Sequence, residues 1–170
     1  LLAACGGGDM EYEIQPSPTR TADKIHSDVP GYAEQPWTPA ITFATPGDLS
    51  ITYQARDGIY VQVGSIVICW FYIDCSAFTH TTAAGSLRIT GLPFIPFGVI
   101  DSTYAHIGGS VAWDGITKTN YTTITPIVNT NVDYFVLAAS GSGQAISLVR
   151  EIDVPSGGQP TFQGHVIYRI

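Results

Sequence analysis

From Trp37 onward the chain is built of short runs in which apolar and polar positions alternate, separated by Gly, Pro, Asn, Asp and Ser. A period of two puts successive side chains on opposite faces of a strand, so the pattern predicts strands over 40–44, 49–56, 59–63, 65–74, 86–90, 110–114, 121–128, 132–139 and 161–168. In 49–56, Leu49, Ile51, Tyr53 and Ala55 alternate with Ser50, Thr52, Gln54 and Arg56, which predicts one buried and one wet face. Asp57-Gly58 and Gly64-Ser65 carry turn chemistry and predict two successive antiparallel connections. Ile66-Val67-Ile68-Cys69-Trp70-Phe71-Tyr72-Ile73 is apolar at every position. Such a strand lies at the centre of a sandwich or turns one face to another subunit, and Ile66, Ile68, Trp70 and Tyr72 are the candidate oligomer-interface residues. Roughly eight to ten short strands without an internal repeat point to an all-β fold, a two-sheet antiparallel sandwich of jelly-roll-like type.

The pattern is different before Trp37. From about Asp9 to Gln35 the sequence is polar, carries Pro16, Pro18 and Pro30, and follows neither a 3.6-residue nor a sustained two-residue period. The expected organisation is an extended N-terminal attachment arm over 1–36 followed by a β-sandwich module over 37–170. An arm of this composition cannot bury enough of itself to order alone, so it either orders against a neighbouring subunit or a larger assembly or serves as a disordered linker.

An ordered set of motifs runs through the module. Trp37-Thr38-Pro39-Ala40-Ile41-Thr42-Phe43 is followed by Ile51-Thr52-Tyr53 and Gly58-Ile59-Tyr60-Val61-Gln62-Val63-Gly64. A hydrophobic strand over 65–74 and a Thr/Ser/Gly-rich loop over 76–84 come next, then Gly85-Ser86-Leu87-Arg88-Ile89-Thr90-Gly91-Leu92-Pro93-Phe94. A Gly-rich turn at 138–143 and a closing strand at 164–168 complete the order. The set resembles a recurrent β-module of tailed-bacteriophage virion surface proteins, found in tail fibres, spikes, head fibres and capsid decoration proteins. The resemblance implies a homotrimeric virion structural protein, assembled in the bacterial host cytoplasm and displayed on the particle surface. It further implies attachment to other virion proteins through the arm, and contact with a host-surface glycan or protein through loops. The sequence departs from the pattern at Gln62, where a basic residue is usual, and at Cys69-Trp70, which bears on subunit contacts rather than on fold. Read without the resemblance, Gly64 suits a positive-φ turn, Gly91 ends a strand before Leu92-Pro93, and Trp37, Tyr53, Tyr60 and Phe94 are core anchors.

Composition adds a second argument for association. Charged residues make up 12% of the 170-residue chain and hydrophobic ones 45%, so the surface must be covered largely by Thr, Ser, Asn, Gln and apolar atoms, which favours self-association. A net charge of −7 with scattered Lys and Arg provides no basic stripe for a phosphate backbone, so nucleic acid is not an expected partner. The longest apolar run, Ile66 to Ile73, is far short of the roughly 20 residues of a membrane-spanning helix. Cys69 and Cys75 on one extended strand would hold their Cα atoms about 20 Å apart, against a disulfide limit of about 7 Å, so both are expected as buried thiols. Leu2-Ala3-Ala4-Cys5 resembles the lipobox of bacterial lipoprotein signals, but without a basic segment or a longer apolar stretch ahead of it. A leader is therefore the first expectation, and a lipid-anchored bacterial surface binding protein the alternative.

Candidate chemistry is sparse. A polysaccharide-degrading spike, the third hypothesis, would need two carboxylates about 5–10 Å apart. Asp48, Asp57, Asp74, Asp101, Asp114, Asp133, Glu151 and Asp153 mostly sit near Gly, Pro or Asn, where a carboxylate bonds turn amides. His26, His80, His106 and His165 lack a ligand spacing, no Gly-x-Ser-x-Gly elbow occurs, and no helix follows Ser140-Gly141-Ser142-Gly143. The chain is therefore read as non-enzymatic, without cofactor or metal. Its candidate recognition loops are 78–84, 104–110 and 113–121, with Tyr104, His106, Trp113 and Tyr121 as the contact residues, and the competing role for these aromatics is core or interface packing.

Overall fold

Runs rich in Val, Ile, Thr, Tyr and Phe form ten strands in the computed structural model, which describes residues 33–97 and 108–170. They are β1 (Gln35–Trp37), β2 (Ala40–Thr45), β3 (Ser50–Val63), β4 (Ile66–Thr79), β5 (Ala84–Thr90), β6 (Gly109–Asp114), β7 (Thr123–Val128), β8 (Tyr134–Ser140), β9 (Ser147–Leu148) and β10 (Thr161–Arg169). A single 3-10 turn covers Glu151–Asp153. The first sheet has the order β1-β3-β4-β10-β6; the second has β2-β5-β8-β7, with β9 paired to β8. Every pairing is antiparallel, and the two sheets enclose one core, as the expected sandwich requires.

The inner face of β4 supplies Val67, Cys69, Phe71, Ile73, Cys75 and Phe78, and β10 adds Phe162, Val166 and Tyr168. Facing them are Ile41 and Phe43 of β2, Leu87 and Ile89 of β5, and Phe135, Leu137 and Ala139 of β8. Each large side chain removed from water in this way contributes about 1.5–3 kcal/mol. Phe71 and Phe135 meet across the sheets with ring centroids 5.5 Å apart, and the Tyr53 hydroxyl accepts the Ile41 amide at 3.0 Å.

Two sequence expectations are corrected. Asp57-Gly58 is not a turn: 49–56 and 59–63 belong to one strand, β3, paired with β4 from Ser50↔Thr79 to Val63↔Ile66. Only Gly64-Ser65 turns, with Gly64 at φ 59°. β4 also runs five residues past the expected end, to Thr79, so Phe78 is a fully buried core residue rather than the start of a recognition loop.

The pairing of β3 with β4 is interrupted between Thr52 and Ala55. Thr52 pairs with Ala77 and Tyr53 with Cys75, leaving Ser76 extra; Ala55 then pairs with Asp74, leaving Gln54 extra. A bulge changes the phase of alternation, and two bulges on opposite strands restore the register. Inward positions on β3 therefore switch from odd (Ile51, Tyr53) to even (Gly58, Tyr60), and Ala55, expected on the buried face, lies in the outward row with Asp74. Ile59, Val61 and Val63 consequently point outward.

Gly58 is needed inside β3 for contact rather than for a turn. The Trp37 indole lies across it, and Trp37 Nε1 donates to the Trp70 carbonyl of β4 at 3.0 Å. A Cβ at residue 58 would come 2.5 Å from that nitrogen. An aromatic ring over a strand glycine thus ties edge strand β1 to the sheet centre.

A second tie joins the β2–β3 turn to the connection between β4 and β5. Asp48 Oδ1 accepts the amides of Thr81 (2.8 Å) and Thr82 (2.7 Å) and the Thr82 hydroxyl (2.9 Å), while Oδ2 accepts the Thr81 hydroxyl at 2.5 Å. These bonds, the Thr81 hydroxyl foremost, hold the Asp48 carboxyl well below the usual carboxylate range.

Replacing Gly58 by Ala should destabilise the fold by about 1–3 kcal/mol in urea unfolding, because the methyl group and the indole cannot share the space; unchanged stability would show that the indole does not depend on that gap. Asp48 refuses in the folded chain a proton that it accepts near its ordinary value in the unfolded chain. Its stabilisation is thus complete above that value and drains away as pH falls below it. The melting-temperature gap between wild type and Asp48→Asn should be widest near about pH 6 and shrink towards about pH 2.5; a gap independent of pH would contradict the assignment.

Candidate functional site on the outer face of the first sheet

Residues directly opposite in an antiparallel pair share a face. The register therefore assembles the outer surface of the first sheet: Asp57, Ile59, Val61 and Val63 from β3, Ile66, Ile68, Trp70 and Tyr72 from β4, and Gln163, His165, Ile167 and Arg169 from β10. Ile66, Ile68, Trp70 and Tyr72, picked from sequence as one strand face, do lie together here. Trp70 is 40% exposed, Tyr72 37%, Ile59 42% and Val63 38%. Apolar side chains exposed together on one sheet face are characteristic of contact surfaces, which makes this face the candidate site.

The face has two chemically different ends. Next to the Gly64-Ser65 turn it is aliphatic, with Val61, Val63, Ile66, Ile68 and Ile167 and only Arg169 at the margin. Four to six residues further along β4 it is aromatic and polar. Ile59, Trp70 and His165 form one cross-strand row there, and Asp57, Tyr72 and Gln163 form the next. Between the rows the side chain of Phe71 turns inward, and its neighbours Gly58 and Gly164 have none. A groove of about 410 Å³ results, lined by Asp57, Gly58, Ile59, Trp70, Phe71, Tyr72, Gln163 and Gly164. The Asp57 carboxylate, the Tyr72 hydroxyl and the Gln163 amide have no partner among the described residues. His165 Nδ1 stands 3.4 Å from the Ser110 hydroxyl.

Of the expected recognition residues, Trp113 and Tyr121 lie elsewhere. Trp113 sits on edge strand β6 opposite the buried Phe162, so it faces the inner side at the sheet's margin and is 36% exposed. Tyr121 is half-buried against the core and donates to the Ala145 carbonyl at 3.0 Å. Loop 78–84 is tied down by Asp48, by His80 Nε2 against the Val154 carbonyl at 2.9 Å, and by the His80 ring against Phe43 and Phe78. Tyr104 and His106 lie outside the described residues, as do Asp101, His26, Cys5 with its lipobox-like neighbours, and most of the expected arm. Cys69 and Cys75 are buried free thiols, as expected; burial pushes the Cys69 thiol up to about 12 and that of Cys75 up to about 11.

Sequence reasoning missed two features of this surface and its supports. Asp57 and Gln163 escaped because Asp57-Gly58 has the chemistry of a turn and the bulge shifts the phase, although the alternation in 161–168 does mark Gln163 as outward. Asp153, read as a turn acid, does accept the Arg150 amide of the 3-10 turn at 2.9 Å; what the sequence did not show is that it is buried 2.7 Å from Lys118 Nζ and so pins loop 115–122 to that turn.

No protein-family model and no curated protein matches the chain. Among solved structures, the Dettilon tailspike protein is similar in fold, with a TM-score of 0.54 over 81% of this chain at 13% identity. The chain spans 23% of the length of that tailspike. The two-sheet architecture thus recurs as one portion of a phage tailspike.

Proposed function

We propose that the chain is a structural and binding module of a tailed-phage virion, displayed on the particle surface as a homotrimer and attached to other virion proteins through residues 1–36. The observation that carries this reading is the outward aliphatic stripe, with Val63 exposed and Val61, Ile66, Ile68 and Ile167 half-buried, on a sandwich similar to part of a tailspike. Val61, Val63, Ile66, Ile68 and Ile167 lie side by side on the outer face, and burying their remaining accessible area between copies removes apolar surface from water. The ordered motifs from Trp37 to Tyr168 support membership of the virion class. A non-enzymatic role is supported by the acids: Asp48, Asp74, Asp114 and Asp153 are each bonded to Thr, backbone or Lys partners that use them structurally. Host-surface contact is the task left for the exposed groups.

Immunogold labelling of purified phage particles should place the protein on their outer surface, and its absence from purified particles would remove the virion reading. Light scattering behind size exclusion should return three times the chain mass. Ile68→Glu, a charge in the middle of the stripe, should return the monomer mass with an unchanged circular dichroism spectrum. A wild-type monomer at micromolar concentration would sink the trimer.

A further inference from the structure

We infer that the groove at the aromatic end of the first sheet is a binding site for a neutral glycan, with Trp70 and Tyr72 as stacking platforms and Asp57 and Gln163 as hydroxyl ligands. The inference rests on the proposed surface display, and it separates the outer face into an aliphatic end for subunit contact and an aromatic end for ligand.

The chemistry of the two rows selects the ligand. Trp70 and Tyr72 are successive outward residues of one strand, so their rings rise from the sheet roughly 7 Å apart. Two neighbouring flat apolar surfaces, both more than one-third exposed, suit a molecule that is itself flat and apolar on its faces. Around them stand groups that bond polar edges. Asp57 and Gln163 flank Tyr72 directly on either side, and the carboxylate, the amide and the phenol hydroxyl are all without a partner among the described residues. A carboxylate accepts two hydroxyl protons, and an amide donates and accepts at once, the pairing that vicinal hydroxyls require. A pyranose combines apolar C–H faces with a rim of hydroxyls and so meets both demands. The groove's volume also falls within the range of small-molecule sites, roughly 300–1,000 Å³.

Charge complementarity narrows the class further. The one charged group lining the groove is Asp57, and the chain carries a net charge of −7. A uronic acid or other anionic sugar would bring a carboxylate towards Asp57 without a cation to offset it. Neutral hexoses and N-acetylhexosamines carry no such penalty.

Isothermal titration calorimetry with neutral gluco-, galacto-, manno- and N-acetylglucosamine oligosaccharides, and with oligogalacturonate as the acidic counterpart, tests the site. At least one neutral oligosaccharide should bind saturably with a dissociation constant at or below about 1 mM, at least about tenfold tighter than oligogalacturonate. Trp70→Ala should weaken binding about tenfold or more, and Asp57→Asn by several-fold, with the light-scattering mass unchanged. Trp113→Ala should bind within about twofold of wild type. Trp70→Phe, which keeps a ring and the backbone bond to Trp37, should bind more tightly than Trp70→Ala and so exclude misfolding as the cause of the loss. Absence of binding by every neutral oligosaccharide, or binding indifferent to Trp70→Ala, would overturn the assignment. A fall of Trp70→Ala to the monomer mass would do the same, because it would make a second copy of the chain the occupant of this end. A wild-type chain that binds sugar as a monomer would leave the site standing and remove the trimer instead.

Discussion

The pairing of β3 with β4 governs the architecture of both faces. Fourteen residues on each side form the longest pairing in the fold, and its pleat sends Val67, Cys69, Phe71 and Ile73 into the core while Ile66, Ile68, Trp70 and Tyr72 face out. A strand that is apolar at every position thereby serves two surfaces. The inner one closes the sandwich against Phe43, Leu87, Phe135 and Leu137, and the outer one keeps Trp70 and Tyr72 more than one-third exposed. A register slip of one residue would exchange the two sets and bury Trp70 and Tyr72 in place of Phe71.

Several local devices hold that register. The Gly64-Ser65 turn sets it at one end, and the bulges at Gln54 and Ser76 cancel each other near the other. Trp37 spans Gly58 to reach the Trp70 carbonyl, so the backbone beneath the groove is fixed from the inner side. The row of Gly58, Phe71 and Gly164 faces inward and so adds no side chain to the strip between the outward rows of Ile59 and Asp57, where the groove lies. Function placed on such a surface inherits the stiffness of a central strand rather than the mobility of a loop.

Two of the described loops, by contrast, are committed to structure. Asp48 ties down Thr81 and Thr82, Lys118 and Asp153 form a buried ion pair, and Tyr121 is bonded to the Ala145 carbonyl. Buried or multiply bonded polar groups of this sort are costly to disturb, so the stretches 78–84 and 115–122 act as braces across the ends of the sandwich. That arrangement moves the prospect of ligand contact from the loops to the exposed sheet face.

The all-β sandwich, most of its strands, the buried thiols and the grouping of Ile66, Ile68, Trp70 and Tyr72 on one face were all determined by the sequence itself. Period-two alternation and turn residues are local properties of a chain, and one strand's two faces can be read without knowing its neighbours. What only the tertiary structure decided is which residues of other strands join that face. Asp57-Gly58 has the same local chemistry in a turn as in a strand, and here the Trp37 indole, distant in sequence, makes it a strand. Likewise the bulge that turns Ile59, Val61 and Val63 outward exists only in the pairing of β3 with β4. The groove joins Asp57, Trp70 and Gln163 from three strands, and such a juxtaposition is set by register, which no single segment contains.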